Sequence, residues 1–342
     1  MKKNIHEEIP RSYQIKGAAI YLLRHLFKKN LFLKEIQTEN AKEISEFLRN
    51  HNTEKIVQVD RIENLDEKTF VKNYLNKGIP VIFSREALSW KSTSKWSFDF
   101  LASEFGQQEY PIINMEGLSE KAQEKIDKKV NLGDYLESLK TENTEEYLRF
   151  WSLLEANPCL EEDLNQEWLL KMKKCFLGIS YQSFLGPRGK RTPLHSDTTA
   201  FFYIMNEGQK KWTMFSPSAL SVINPEPEGR GYNFTKWNIK ESNPSQYPGA
   251  DLVTRFECVL EKGDILFVPA WMWHEVENLT ESFGISYRFT SLRGFFQFPF
   301  YAFLRIFFTN PSFLRIIYYS FFRNDLHKRD KYLLTPKIIM KK

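Results

Sequence analysis

Between residues 176 and 291 the chain is cut into short apolar or alternating runs, FLGISYQSFLG, FFYIM, KWTMF, RFECVLE, DILFVP and FGISYRF, each bounded by Gly, Pro, Asn or Asp. Turn-bounded runs at such intervals are the pattern of an antiparallel sandwich or barrel rather than of βαβ units. The segment from 217 to 252 breaks the series. It is rich in Pro, Asn and Gly and reads as a long loop with little regular structure, of the kind that often carries function.

The flanks have a different texture. Residues 13–50 carry helical spacing, with Ile20, Leu23 and Phe27 on one face and Ile36, Ala41, Ile44, Phe47 and Leu48 further on, which predicts two or more amphipathic helices. Residues 56–59 and 79–83, IVQV and IPVIF, are β-rich runs on either side of a helical KTFVKNYLNKG that stops at Gly78. ALSWKSTSKWSFDFLASEFG follows as a loop and then a helix capped by Ser97. After 293 comes GFFQFPFYAFLRIFFTNPSFLRIIYYSFFRN, where Arg305, Arg315 and the Asn310-Pro311 break point to two short packed helices rather than a bilayer span, ahead of a solvated tail. The organisation expected is therefore a helical segment at 1–54, a mainly β unit at 55–293 with its core barrel at 176–291, and an aromatic helical segment at 294–342.

A chain of 342 residues with 42% hydrophobic content can bury a sizeable core without covalent staples. Its three cysteines, Cys159, Cys175 and Cys258, show no paired spacing, so neither a disulfide framework nor a zinc–thiolate cluster is expected, and a reducing cytoplasm fits best. A net charge of +5, with basic and acidic residues mixed along the chain, does not indicate nucleic acid. The opening MKKNIHEEIPRSYQ does not read as a signal peptide, and no stretch of about 18 uncharged apolar residues occurs.

Two of the six histidines stand in settings unlike the others: TPLHSDTTAFF at 192–202 and GDILFVPAWMWHEVEN at 263–278. In an extended chain, side chains two apart share a face, so His195 and Asp197 can address one metal while Ser196 points away. His274 from a second strand completes two imidazoles and one carboxylate, a set that suits iron(II) and leaves three coordination positions open. An isolated H-x-D more often caps a turn, and a lone His beside tryptophans is more often a satisfied core residue. The strings around both sites shift that balance.

TPLHSD, then GQKKW with its first lysine fifteen residues after His195, then GDILFVPAWMWH, together resemble the cupin-like branch of the JmjC oxygenases, the branch that includes the asparaginyl hydroxylase inhibiting hypoxia-inducible factor. The resemblance is close over 176–291 and weaker upstream through NYLNKGIPVIF, the tryptophan-rich segment and EEYLRFW. It implies a double-stranded β-helix, or jelly roll, flanked by helices, with Fe(II) near its mouth at His195, Asp197 and His274 and with 2-oxoglutarate and O2 as cosubstrates. It further implies that Lys210 binds the distal carboxylate of 2-oxoglutarate, assisted by the hydroxyl of Thr192, with Tyr147 matching a cosubstrate-binding tyrosine. A carboxylate buried in a barrel needs a cation and a further donor to offset its desolvation. Alternation in KKWTMF places Lys210, Trp212 and Met214 on one face and Lys211 on the other, so one of the paired lysines is internal, and the family register selects Lys210.

Two positions depart from the pattern. Phe201 and Arg288 stand where relatives carry asparagines. Arg288, fourteen residues after His274, also occupies the place where other branches of the superfamily put an arginine for the same carboxylate; a rim salt bridge is the equally weighted alternative. Of Phe201, Tyr203, Trp212, Trp271 and Trp273, one or two are expected to face the metal and the rest to pack the core.

The resemblance implies a hydroxylase of a protein, peptide or amino-acid-like small molecule, releasing succinate and CO2. N-methyl lysine demethylation and a catalytically silent cupin-like binding module are the competing functions. Neither a G-x-S-x-G elbow nor a phosphate- or dinucleotide-binding glycine loop is present in the sequence. The aromatic stretch 294–322 suits a homodimer interface or packing on the barrel, with peripheral membrane contact, aided by the basic helix near 16–34, as the lesser alternative.

Overall fold

Strand β9 (Ala200–Glu207) shows why the apolar runs are nearly continuous. Phe201, Tyr203 and Met205 face one hydrophobic cluster while Phe202 and Ile204 face another, so alternation is preserved although both faces are buried. In the computed structural model, which describes residues 5–308 apart from 28–29, 52–54, 114–125, 142–143, 145, 152, 175–179, 228–231, 242, 292–293, 295–297 and 299–300, such strands form two facing sheets. In chain order they are β1 (Ile56–Gln58), β2 (Asp60–Ile62), β3 (Val81–Phe83), β4 (Glu109–Ile113), β5 (Ile126–Asn131), β6 (Leu148–Trp151), β7 (Ser180–Gly186), β8 (Arg191–Asp197), β9 (Ala200–Glu207), β10 (Lys210–Phe215), β11 (Tyr232–Phe234), β12 (Arg255–Leu260), β13 (Ile265–Val268), β14 (Trp273–Asn278) and β15 (Ser282–Phe289).

One sheet runs β1-β12-β10-β14-β8-β11 and the other β2-β3-β13-β9-β15-β7-β6, with β4 and β5 forming a separate hairpin. Consecutive strands alternate between the sheets, as β8, β9, β10 and then β12, β13, β14, β15 do, which is the winding of a jelly roll. The space between the sheets is filled by Phe184, Phe201, Tyr203, Met205, Trp212 and Met214 among others. The outer face of the seven-stranded sheet presents Phe202, Phe267, Ile285 and Phe289 to a helical layer carrying Phe70, Trp96 and Trp168. The expected mainly β jelly roll with helical additions is the fold found.

The upstream segments behave as their spacing requires, with refinements. Helices α1 (Arg11–Leu26) and α2 (Leu31–His51) account for the 13–50 pattern. KTFVKNYLNKG is a short α-helix, Glu67–Phe70, widening into a π-turn over Val71–Leu75, and Gly78 follows with φ 64°. Ser97 caps Phe98–Phe105, its hydroxyl accepting from Phe100 N at 3.1 Å. The stretch before it, taken as loop, holds two short turns of helix at Glu86–Ser89 and Lys91–Lys95.

The 217–252 segment is the main correction. It is not a structureless loop: a helical turn at Pro217–Ile223 packs under α1 and α2, and β11 pairs antiparallel with β8, placing Phe234 opposite His195. Gly17 of α1 permits that approach, because a Cβ there would stand 2.2 Å from Ser221 Oγ. Tyr21 of α1 donates its hydroxyl to Asn233 Oδ1 at 2.8 Å, and Arg24 donates to Pro225 O at 3.1 Å. The amphipathic N-terminal helices thus pin the insertion that flanks β8.

Near the C-terminus, Tyr301–Phe303 and Leu304–Phe308 are helical, with Tyr301 packed at 4.7 Å on Trp271 and Phe303 and Phe307 exposed. The second C-terminal helix and the solvated tail lie outside the described residues, as does Cys175. Among the described residues no helix is long and apolar enough to cross a membrane.

Candidate metal centre and the buried lysine beside it

Strands β8 and β14 pair with His274 directly opposite His195, and the two imidazole centroids are 4.1 Å apart. Asp197, two residues along β8, brings Oδ2 to 3.7 Å from His274 Nε2. Ligand atoms of His195, Asp197 and His274 all lie within 4.8 Å of one another, and all three side chains are buried. The turn that delivers His274 is anchored to β8: Trp271, held at φ 65°, donates its N–H to Asp197 O at 2.7 Å, and Ser196 Oγ donates to Trp271 O at 2.9 Å. A bulky residue in left-handed backbone is uncommon and needs such anchoring.

Each histidine is oriented by a carbonyl two residues earlier: His195 Nδ1 bonds Pro193 O at 2.8 Å and His274 Nδ1 bonds Met272 O at 2.9 Å. A carbonyl only accepts, so Nδ1 carries the proton and Nε2 keeps its lone pair for a metal. Burial lowers both imidazoles, His274 to about 3 with the help of the neighbouring His195, so both are neutral donors at ordinary pH. Burial works to raise Asp197, but the Arg288 guanidinium and the two imidazoles outweigh it and hold the carboxyl below its usual value. Two neutral nitrogens and one carboxylate converging in a dry interior are a donor set that fits a divalent transition-metal ion.

Thr192 reaches the same interior wall through an irregularity. Between His274 and Val276 the register with β8 shifts, so that Val276 faces Thr192; three residues of β8 span two of β14. The extra residue turns Thr192 to the side of His195 despite their odd spacing. Strand β10 continues the wall, with Met214 opposite His274, Trp212 opposite Val276 and Lys210 opposite Asn278. Phe201 and Trp212 lie 5.4 and 5.7 Å from the His274 ring, while Trp271 and Trp273 pack in the outer cluster.

Lys210 is fully buried, whereas Lys211 reaches solvent and pairs with Glu257 at 3.3 Å. The Lys210 ammonium donates to Asn278 Oδ1 at 2.6 Å and bonds the Tyr147 hydroxyl at 3.0 Å. Both partners are neutral. Burial pushes the Lys210 pKa down, Tyr147 opposes that shift, and Arg149 adds to it. Tyr147 itself lies just before β6, where Arg149 stacks on its ring at 4.6 Å. Asn278 was missed in the sequence, although it lies four residues after His274 on the same face. Arg149 was missed as well, and no motif marks it.

Arg288 is not at a rim. It is buried, its Nη1 stands 2.8 Å from Asp197 Oδ2, and its guanidinium lies 5.0 Å over the Phe201 ring. The two departures from the asparagine pattern are therefore in contact with each other. On the adjoining wall Ser180, Gln182, Ser286 and Tyr203 carry buried polar atoms with no hydrogen-bond partner among the described residues.

Fold and donor set together are those of a jelly roll with a candidate metal site. The chain belongs to the cupin-like domain family, whose model matches residues 67–294. It is 26% identical over 242 residues to lysine-specific demethylase 8 of Danio rerio, covering 67% of this chain and 58% of that protein. It is 25% identical over 263 residues to the 2-oxoglutarate and iron-dependent oxygenase JMJD4 of Gallus gallus, covering 68% and 60%, and 23% identical over 269 residues to arginine-specific demethylase JMJ20 of Arabidopsis thaliana, covering 68% and 57%. The matched region thus spans less than two thirds of these relatives.

Proposed function

We propose that the chain is an Fe(II)- and 2-oxoglutarate-dependent oxygenase that hydroxylates a protein, peptide or amino-acid-like substrate, with release of succinate and CO2. The observation that carries this reading is a buried ammonium, Lys210, with neutral partners only, on the same interior wall as three converging metal-ligand side chains. A desolvated cation without a counter-charge is costly, and an anionic ligand removes that cost. In this reading His195, Asp197 and His274 hold the metal, and Lys210, Tyr147 and Thr192 receive the distal carboxylate. Arg288 serves Asp197 rather than the cosubstrate. Bound together, iron(II) and 2-oxoglutarate supply the oxidative decarboxylation that activates dioxygen for insertion into a C–H bond. The chain's own part is orientation and dryness: carbonyl-locked imidazoles fix the ligand atoms, and Phe201 and Trp212 keep water from the reacting side.

Fe(II)-dependent conversion of 2-oxoglutarate to succinate is expected from the purified chain and absent from Asp197→Ala; equal succinate from both would remove the oxygenase reading. N-methyl demethylation is the second reading, favoured by the demethylase names of two of the relatives. Formaldehyde released from methylated lysine or arginine peptides would select it. A silent binding module is opposed by the intact ligand set.

The 55–293 unit carries this proposed activity, in the cytoplasm, with the flanking segments as additions. Two copies pair through the aromatic stretch 294–322, supported by the exposed Phe303 and Phe307. Sedimentation is expected to show a dimer that anionic liposomes do not pellet; a monomer that pellets with them would reverse the choice of partner.

A further inference from the structure

Asp197 has a cation of the chain's own at its side. Arg288 Nη1 is 2.8 Å from Asp197 Oδ2, and the same oxygen is 3.7 Å from His274 Nε2, so guanidinium and imidazole converge on one carboxylate oxygen. The contact is an ion pair, and Arg288 Nε has no hydrogen-bond partner among the described residues. Two hydroxyls flank Arg288 in the sheet: Ser286 lies two residues back on β15, and Ser180 lies opposite on β7. Phe201 packs against the guanidinium's face.

A guanidinium is not deprotonated in proteins, so this charge is permanent. Two neutral imidazoles and one carboxylate would by themselves present one negative charge to an incoming divalent ion. With Arg288 at 2.8 Å from Asp197, the set presents none. Buried charges are poorly screened, so the guanidinium opposes a second cation at close range. An anion that arrives with the metal offsets that repulsion.

We propose that Arg288 holds down metal affinity at His195, Asp197 and His274 until an anionic chelator arrives, and so adds to the coupling between metal and 2-oxoglutarate that direct chelation already supplies. The proposal rests on the oxygenase reading above and gives Arg288 a role other than the carboxylate contact that other branches of the superfamily place at its position. Linkage makes the coupling reciprocal: the factor by which 2-oxoglutarate tightens the metal equals the factor by which the metal tightens 2-oxoglutarate.

The test is Mn(II) titration followed by the EPR signal of the free ion, with and without saturating 2-oxoglutarate. The wild type is expected to bind Mn(II) at least about thirtyfold more tightly when 2-oxoglutarate is present. Arg288→Gln, which keeps a hydrogen-bonding group but loses the charge, is expected to bind Mn(II) alone roughly tenfold more tightly than the wild type and to show a coupling factor lower by about the same amount. Arg288→Lys keeps the charge and should retain both the weak binding and the coupling. Wild-type Mn(II) affinity in a folded Arg288→Gln overturns the proposal. Coupling below about threefold in the wild type also overturns it, and that measurement needs no variant to fold. His195→Ala separates the two readings: undiminished Mn(II) binding there defeats the metal site itself, whereas lost binding there beside an unchanged Arg288→Gln defeats the Arg288 role alone.

Discussion

Lys210→Met is expected to weaken 2-oxoglutarate binding by about 2–5 kcal/mol, roughly 30-fold to 5,000-fold, while leaving Mn(II) binding in the absence of cosubstrate nearly unchanged. The size follows from burial. Lys210 is shielded from water and its partners, Tyr147 and Asn278, are neutral, so a carboxylate placed there would have this ammonium as its direct counter-charge. Methionine fills the space of the stem and removes the charge. Burial lowers the lysine's pKa and an arriving carboxylate raises it, so binding takes up a proton wherever the pH lies between the two values. Affinity should therefore fall as pH rises through the range between the empty and liganded values. Calorimetry in buffers of different ionisation enthalpy measures both quantities. A variant that binds 2-oxoglutarate as the wild type does would transfer the carboxylate to another group, Arg288 first.

The second large effect is on stability. Phe202→Ala should cost about 3–5 kcal/mol and lower the melting temperature by on the order of 10 °C. Phe202 is fully buried on the outer face of β9, with ring centroids of Trp168, Phe289, Phe267, Phe70 and Phe83 at 5.2, 5.3, 5.7, 5.8 and 6.0 Å. Five rings drawn from strands and helices cannot collapse together into the void that alanine leaves, so most of the cavity cost remains. Phe307, 65% exposed, is the control, and its replacement by alanine should change the stability of the monomer by no more than about 0.5 kcal/mol. Equal effects from the two would mean that the helical layer does not pack on this sheet as described.

The contrast between these residues shows what a sequence of this kind discloses. Strand alternation is local and exact in period, so the shared face of His195 and Asp197 was legible, as was the rule that one of Lys210 and Lys211 turns inward, with the family register selecting Lys210. Thr192 was legible only through the family resemblance: three residues from His195, it should face the other way, and a bulge formed with β14 reverses it. Bulges depend on the partner strand, which the sequence does not name. Asn278 followed the alternation from His274 and could have been found by counting along β14.

Arg288 shows a different limit. Its position opposite Phe201 depends on β15 pairing with β9, and its ion pair with Asp197 crosses between sheets; neither is a matter of spacing. Composition misled in one place. The Pro, Asn and Gly of 217–252 suggested loop, yet β11 within it lies alongside β8 because α1 supplies Tyr21 and Arg24 to hold it there. Turn-rich composition lowers local propensity, and tertiary hydrogen bonds from a distant helix made up the difference.

The central claim, that one ion and one 2-oxoglutarate meet at His195, Asp197 and His274, is tested most directly by absorption spectroscopy under anaerobic conditions. Fe(II) and 2-oxoglutarate added together to the chain should give a visible charge-transfer band that neither gives alone and that His274→Ala does not show. A wild-type protein that stays colourless with both present, while remaining folded, would contradict the account.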